Sequence, residues 1–249
     1  MNIMRTGQQG ILLWNRSYKI GIDLFLSDVP GRLLKNVIKI ENLLDVILLF
    51  GTHDHIDHID RRLWTKLAHY NPKVHFVAPS FLENSLPEEI DIDAARFEFV
   101  DEGLTKDYQG IHIEAIPAAH EFVDVDEDGR HPYLIYVIEF DGKKICHMGD
   151  TCLYEGLYKK LRSYGRFDII FLPINGRDAY RYTHDCIGNM TFQEAADLTG
   201  ILAPKLAVPG HYDMFAHNSE DPKQYIDYVK AKYPGQEVSI MKPGLVYQV

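Results

Sequence analysis

Short hydrophobic runs alternate with amphipathic stretches along most of the chain, a pattern typical of strands with covering helices. The runs predict strands at residues 10–14, 18–23, 45–49, 74–78, 96–100, 111–117, 133–140, 143–147, 168–173, 206–208 and 238–241. An amphipathic stretch at 33–44 leads into the third of these strands. Apolar positions at helical spacing predict helices at 60–70, 155–164, 191–202 and 222–232.

Two local signals sharpen these boundaries. Asp141 and Gly142 form a hairpin turn between the strands at 133–140 and 143–147. Thr191 and Glu194 form a capping box that begins the helix at 191–202. Strands and helices alternate at both ends of the chain, and the middle is mostly strand. The pattern therefore predicts an α/β protein with two sheets packed face to face and helices outside, a four-layer αββα sandwich in one domain over residues 1–249.

Composition narrows the class of protein. The chain has 249 residues, of which 46% are hydrophobic and 25% charged, as expected for a folded globular protein. Its formal net charge of -10 disfavours nucleic acid as a partner. No apolar run approaches the length of about 20 residues that spans a bilayer. The three cysteines, Cys146, Cys152 and Cys186, show no disulfide framework. We therefore expect a cytoplasmic protein that does not associate with membranes.

The strongest chemical signal directly follows the buried strand predicted at 45–49. The segment 52–58 reads Thr-His-Asp-His-Ile-Asp-His, with three imidazoles and two carboxylates close together. Such groups are the usual ligands of zinc and neighbouring transition metals. His53 and His55, two residues apart in an extended segment, suit one ion. Asp57 and His58 lie beyond the bend and suit a second ion.

Each ion needs further ligands, and other strand ends supply candidates. His120 follows the strand at 111–117, Asp150 follows the strand at 143–147, and His211 follows the strand at 206–208. Any one of them alone is more typical of a loop residue. Their recurrence at equivalent positions favours a shared metal site.

These motifs resemble the metallo-β-lactamase superfamily over essentially the whole chain. Within it, the strings Thr-His-Asp-His-Ile-Asp-His-Ile-Asp at 52–60, Gly-Asp-Thr at 149–151 and Pro-Gly-His-Tyr-Asp-Met-Phe at 209–215 are similar to the L-ascorbate-6-phosphate lactonase branch. The resemblance implies an αββα fold, a two-metal hydrolytic site and an assembly of identical chains. It implies the following ligands: His53, His55 and His120 for the first ion, Asp57, His58 and His211 for the second, and Asp150 as the bridge.

The resulting hypothesis is a metal-dependent hydrolase of a small, phosphorylated sugar lactone such as L-ascorbate 6-phosphate. Two divalent ions would lower the pKa of a shared water from about 15.7 to near 7 and so supply a hydroxide. Asp57 would orient it or take up its proton, and Asp150 would bridge the ions. Manganese is implied by the resemblance, zinc suits the imidazoles, and iron is also compatible with mixed nitrogen and oxygen ligands. The ions would leave the site net positive for a small anionic substrate.

Substrate contacts are expected from the loop at 174–190. It combines arginines, aromatic rings and amides, which suit a phosphate and a hydroxylated ring. The candidate substrate-binding residues are Asn175, Arg177, Arg181, Tyr182 and His184, with Arg177 first for anion binding. The alternative is a surface loop whose arginines pair with the abundant acidic residues.

Two other functions remain open from the sequence. A metal-dependent phosphodiesterase would use the same two-metal chemistry, because the ligands do not distinguish an attacked carbon from an attacked phosphorus. A catalytically idle metal-binding scaffold or sensor is disfavoured by the complete ligand set.

Overall fold

The computed structural model describes all 249 residues and contains thirteen strands and six α-helices. The strands are β1 Asn2–Gly7, β2 Gly10–Trp14, β3 Lys19–Ile22, β4 Val46–Phe50, β5 His75–Pro79, β6 Phe97–Val100, β7 Thr105–Tyr108, β8 Ile111–Pro117, β9 Leu134–Phe140, β10 Lys143–His147, β11 Ile169–Pro173, β12 Leu206–Gly210 and β13 Val246–Gln248. The helices are α1 Arg61–Tyr70, α2 Leu86–Glu89, α3 Leu157–Ser163, α4 Ala179–Tyr182, α5 Phe192–Leu202 and α6 Pro222–Lys232. None of the helices is long and apolar enough to cross a bilayer.

The strands form two mixed sheets. One has seven strands in the order β13-β1-β2-β3-β4-β5-β6, and the other has six in the order β12-β11-β10-β9-β8-β7. Their inner faces share one apolar core, in which Phe50 of the first sheet packs edge-on against Tyr136 of the second. The outer face of the first sheet is covered by α1, and that of the second by α3, α5 and α6. The predicted four-layer αββα sandwich is therefore confirmed.

Both local signals in the sequence are also confirmed. Asp141 and Gly142 have φ angles of 55° and 68°, as a two-residue turn between β9 and β10 requires. The side chain of Thr191 accepts a hydrogen bond from the backbone of Glu194, and the Glu194 side chain accepts one from Thr191. Most predicted strands and helices lie within two residues of their observed bounds.

One predicted strand is wrong, and the structure contains further elements that the sequence pattern does not predict. The segment predicted as a strand at 238–241 makes only one isolated parallel bridge, Ala207 to Val238, before the chain turns towards β1. The strands β1, β7 and β13 were not predicted. β7 is a polar strand at the edge of its sheet. β1 contains Arg5, a charged residue that is typical of an exposed segment although here it is buried in the core. The loop at 174–190 contains the one-turn helix α4.

The direction of the strands places their ends together. In the second sheet β8 and β10 both run antiparallel to β9, and β10, β11 and β12 are parallel. The C-terminal ends of β8, β10 and β12 therefore all lie at the same end of the sheet. Three of the loops with predicted ligands begin there, and the loop after β4 meets them from the first sheet.

Candidate metal centre

At this end of the two sheets the structure brings together all seven side chains predicted as metal ligands. They form three groups in which the ligand atoms lie within 4.8 Å of one another: His53, His55 and His120; His53, His58 and Asp150; and Asp57, His58 and His211. Residues from four separate loops converge, as the sequence hypothesis requires.

The first group consists of three imidazoles. His53 Nε2 lies 2.9 Å from His55 Nδ1, and the rings of His53 and His120 are 5.3 Å apart. Burial, together with the neighbouring imidazoles His58, His55 and His120, holds the pKa of His53 well below its usual range. Burial likewise lowers the pKa of His120 to about 4. These rings are therefore neutral at physiological pH, the form in which histidine binds metals.

The third group combines the carboxylate of Asp57 with the imidazoles of His58 and His211. Asp57 Oδ2 lies 3.6 Å from both His58 Nε2 and His211 Nε2. Burial alone would lower the pKa of His58, but Asp150, Asp23 and Asp57 outweigh it and raise that pKa to about 10. Without a metal, a proton thus provides the positive charge that these carboxylates require.

Asp150 connects the first and the third group. Its Oδ1 lies 3.4 Å from His58 Nε2, and its Oδ2 lies 3.0 Å from His211 Nε2 and 3.8 Å from His120 Nε2. Burial raises the pKa of Asp150, yet the facing His211 and His58 hold it well below its usual range. An ionised carboxylate thus lies between the groups, which is the place of a bridging ligand.

Unpaired buried polar atoms show that these residues fit a metal centre. His58 Nε2, Asp150 Oδ1 and His211 Nδ1 are buried and have no hydrogen-bond partner. Native proteins leave few buried polar atoms unpaired, and two of these three atoms face other ligand atoms. A cation would satisfy both. Nitrogen and oxygen donors of this kind suit zinc, manganese or iron.

Asp23 is a residue of the site that the sequence hypothesis missed. It is fully buried, and its Oδ2 lies 2.7 Å from His58 Nδ1. Its carboxylate also accepts hydrogen bonds from the Thr52 backbone at 2.9 Å and hydroxyl at 2.8 Å. Asp23 therefore orients His58 with Nε2 towards the other ligands, as carboxylates commonly do behind metal-binding histidines. The available signal was an acidic residue at the end of a buried strand.

The two arginines of the predicted substrate loop pair with acids. Arg177 donates hydrogen bonds to both carboxylate oxygens of Glu194, at 2.7 and 2.8 Å, and one to the carbonyl of Asn189 at 3.0 Å. Arg181 donates to Asp178 Oδ2 at 2.5 Å and to a backbone carbonyl. The structure thus shows the pairing that the sequence left open as the alternative.

The remaining loop candidates have separate environments. Asn175 is buried and accepts a hydrogen bond from Asn189, which also donates to Asp150 Oδ2 at 2.9 Å. Tyr182 and His184 are exposed. Asn189 therefore links the loop to the metal centre, as does the Gly188 carbonyl, which lies 3.1 Å from His120 Nδ1. Substrate contacts by Asn175, Arg177, Arg181, Tyr182 and His184 stay predictions.

A cavity of about 280 Å³ borders the centre. Its lining combines five predicted ligands with other polar and apolar side chains: His55, Ile56, Asp57, His120, Asp150, Asp185, Cys186, Ile187, His211, Phe215 and Asn218. None of these residues is a lysine or an arginine. The volume lies just below the range typical of drug-sized ligands, which favours a small substrate.

Comparison with known proteins agrees with this geometry. Residues 25–212 match the family model described as the Beta-lactamase superfamily domain. A UPF0173 metal-dependent hydrolase of Pyrococcus abyssi is 31% identical, covering 92% of this chain and 91% of that protein. The chain belongs to the UPF0173 metal-dependent hydrolases of this superfamily. A second UPF0173 hydrolase, from Thermococcus onnurineus, is 30% identical and covers 94% of this chain and 93% of that protein.

The fold of this UPF0173 hydrolase also matches solved structures. Igni18, described as a novel metallo hydrolase from Ignicoccus hospitalis, superposes with a TM-score of 0.77 at 21% identity, covering 100% of this chain and 98% of that one. The expected metallo-β-lactamase fold is confirmed. The family supports an enzyme, a metal-dependent hydrolase whose His and Asp cluster could bind metal.

Proposed function

We propose that this UPF0173 hydrolase opens small lactones, or cleaves similarly small carboxylic esters, at a centre of two divalent ions. The observation that carries the proposal is the cavity of about 280 Å³ that borders the ligand cluster. A substrate in this cavity would lie directly against His120, Asp150 and His211. Ile56, Ile187 and Phe215 give the cavity an apolar wall that suits the carbon skeleton of a lactone.

The residues divide the work of binding the ions. His53, His55 and His120 would hold one ion, Asp57, His58 and His211 the other, and Asp150 would contact both. Divalent ions bound there would lower the pKa of a water and polarise the carbonyl oxygen. The ligand set contributes two carboxylate charges, so two divalent ions would leave a net positive centre that stabilises developing negative charge.

Asp57 has the environment expected of a residue that orients the nucleophile. It lines the cavity and is ionised: burial raises its pKa, but the facing His58 and His211 and a hydrogen bond from Gln8 lower it below the usual value. Its carboxylate can therefore accept a hydrogen bond from a nucleophilic water and orient that water towards the carbonyl.

A phosphorylated lactone such as L-ascorbate 6-phosphate would place its phosphate near the rim of the cavity. Arg177 would have to leave Glu194 to bind it there, because the guanidinium already donates two hydrogen bonds to that carboxylate. The phosphate would therefore be bound either by the positively charged metal centre or by Arg177 after its ion pair with Glu194 has opened. Manganese and zinc are the proposed ions, and the donor set also suits iron.

The test compares substrates on one set of samples. The metal-stripped protein is reconstituted with Mn²⁺ or Zn²⁺, its metal content is determined, and proton release is followed with L-ascorbate 6-phosphate and with a neutral lactone of similar size. A chromogenic phosphodiester is assayed beside them. Lactone opening that is abolished in Asp150→Asn supports the proposal. Turnover of the phosphodiester alone would move the function to phosphodiester cleavage, and no turnover at full metal occupancy would favour a scaffold.

A further inference from the structure

Gln8 lies in the short turn between β1 and β2, far in sequence from every predicted ligand. Its φ of 53° is uncommon for a residue other than glycine, so the surrounding contacts must hold this conformation. The backbone N–H of Gln8 donates to Asp213 Oδ1 at 3.0 Å, and its carbonyl accepts from the backbone of His211 at 2.9 Å. The turn is thus bound to the loop that carries His211.

A buried ion pair fixes this attachment. Arg5 donates to both carboxylate oxygens of Asp213, at 2.7 and 2.9 Å, and to the carbonyl of Gln8 at 3.0 Å. Only 1% of Arg5 is exposed, and its guanidinium lies 4.4 Å from the centre of the Tyr212 ring. A bidentate pair in this setting is rigid as well as strong. It therefore fixes the backbone from which the Gln8 side chain extends.

The carboxamide of Gln8 points at the third group of ligands, Asp57, His58 and His211. Its Nε2 donates to Asp57 Oδ2 at 2.8 Å and lies 3.1 Å from His211 Nε2. The side chain is 1% exposed, so water does not compete for these contacts. One amide thus touches two of the three residues assigned to the second ion and none of those assigned to the first.

We propose that Gln8 is a positioning residue of the metal centre, whose carboxamide N–H holds the Asp57 carboxylate beside His211 at the spacing that binds the second ion. The inference rests on the proposed two-metal function. Partners of this kind behind metal ligands commonly contribute about 10- to 100-fold to metal affinity. The expected consequence is a selective loss at the second ion, because Gln8 does not contact His53, His55 or His120.

The test is calorimetric titration of the metal-stripped protein with Zn²⁺ and with Mn²⁺. Gln8→Met keeps the size of the side chain and removes the donor, so one of the two binding steps is expected to weaken about tenfold or more while the other is unchanged. Thr199→Val is the matched control: it removes a buried hydrogen bond to Tyr225 between α5 and α6 and is expected to leave both steps unchanged.

Gln8→Glu separates this role from direct ligation. A glutamate places a second carboxylate against Asp57, so a donor role predicts weaker binding here too. Retained or tighter binding in Gln8→Glu would overturn the proposal in favour of an oxygen ligand. Unchanged binding in Gln8→Met would overturn the role of Gln8 alone, whereas a wild type that binds neither ion would overturn the proposed function as well. Circular dichroism of each variant checks that it is folded.

Discussion

Replacing Asp23 by asparagine probes the hydrogen bond that orients His58. The substitution keeps the size of the side chain and an oxygen for the Thr52 backbone, but removes the charge that faces His58 Nδ1 at 2.7 Å. A hydrogen bond to a charged group contributes about 1.5–3 kcal/mol. Because about 1.4 kcal/mol corresponds to a factor of ten, the affinity for the second ion should fall about 10- to 100-fold.

The assay is titration of the metal-stripped protein with Zn²⁺, followed by calorimetry, with hydrolysis measured on the same samples. The chain offers a matched control in Asp101, a buried carboxylate whose Oδ1 lies 2.6 Å from His131 Nδ1 and whose Oδ2 accepts a hydrogen bond from the Ser80 hydroxyl. Asp101→Asn breaks a similar pair that includes none of the predicted ligands. It should therefore lower stability without changing metal affinity.

Either of two results would contradict the role of Asp23 in orienting His58. Asp23→Asn that binds zinc as tightly as wild type would show that His58 does not depend on Asp23 for its orientation. Equal losses of affinity in Asp23→Asn and Asp101→Asn would show that the effect comes from general destabilisation of the fold.

Three further predictions follow from the structure. The pKa of His58 is raised from 6.5 to about 10. Its protonation therefore stabilises the metal-free protein fully below about pH 6.5, and this stabilisation is lost as the pH rises through about 10. The Tm of the metal-free protein should fall over this pH range, and it should fall less in His58→Gln. Gly149→Ala and Gly142→Ala should each cost about 1–2 kcal/mol in urea unfolding because both glycines have positive φ, with a larger loss at Gly149, where a Cβ would lie 2.8 Å from a backbone carbonyl. Arg177→Ala should change KM for L-ascorbate 6-phosphate and for a neutral lactone equally, because Glu194 holds the guanidinium; a selective rise for the phosphorylated lactone would instead support Arg177 as the anion-binding residue.

The sequence predicted most of the fold because its core strands are short apolar runs that end at turn residues. Two of the strands that the sequence does not predict have different physical causes. β1 contains Arg5, whose burial depends on Asp213 at the other end of the chain, and β7 is a polar edge strand. Local hydrophobicity does not reveal a strand whose charge is neutralised by a distant residue.

At the metal centre, too, residues within a local sequence pattern could be predicted, whereas residues that depend on distant contacts could not. The convergence of the candidate ligands could be predicted because His53, His55, Asp57 and His58 lie in one short segment and the others follow apolar strands. Gln8 and Asp23 escaped prediction, since their contacts with Asp57 and His58 form only after the loops converge. Arg177 shows the converse case: its residue type suits a phosphate, but the structure pairs it with Glu194.

The two-metal centre is tested most directly by measuring bound metal and hydrolysis together in wild type, His53→Ala and Asp150→Asn. Each metal-stripped protein is reconstituted with Mn²⁺ or Zn²⁺, its metal content is determined after removal of free ions, and lactone opening is followed by proton release. We predict two ions per wild-type chain, fewer in both variants, and loss of lactone opening in both. Variants that keep the full metal content and the full rate would contradict the assignment of this centre.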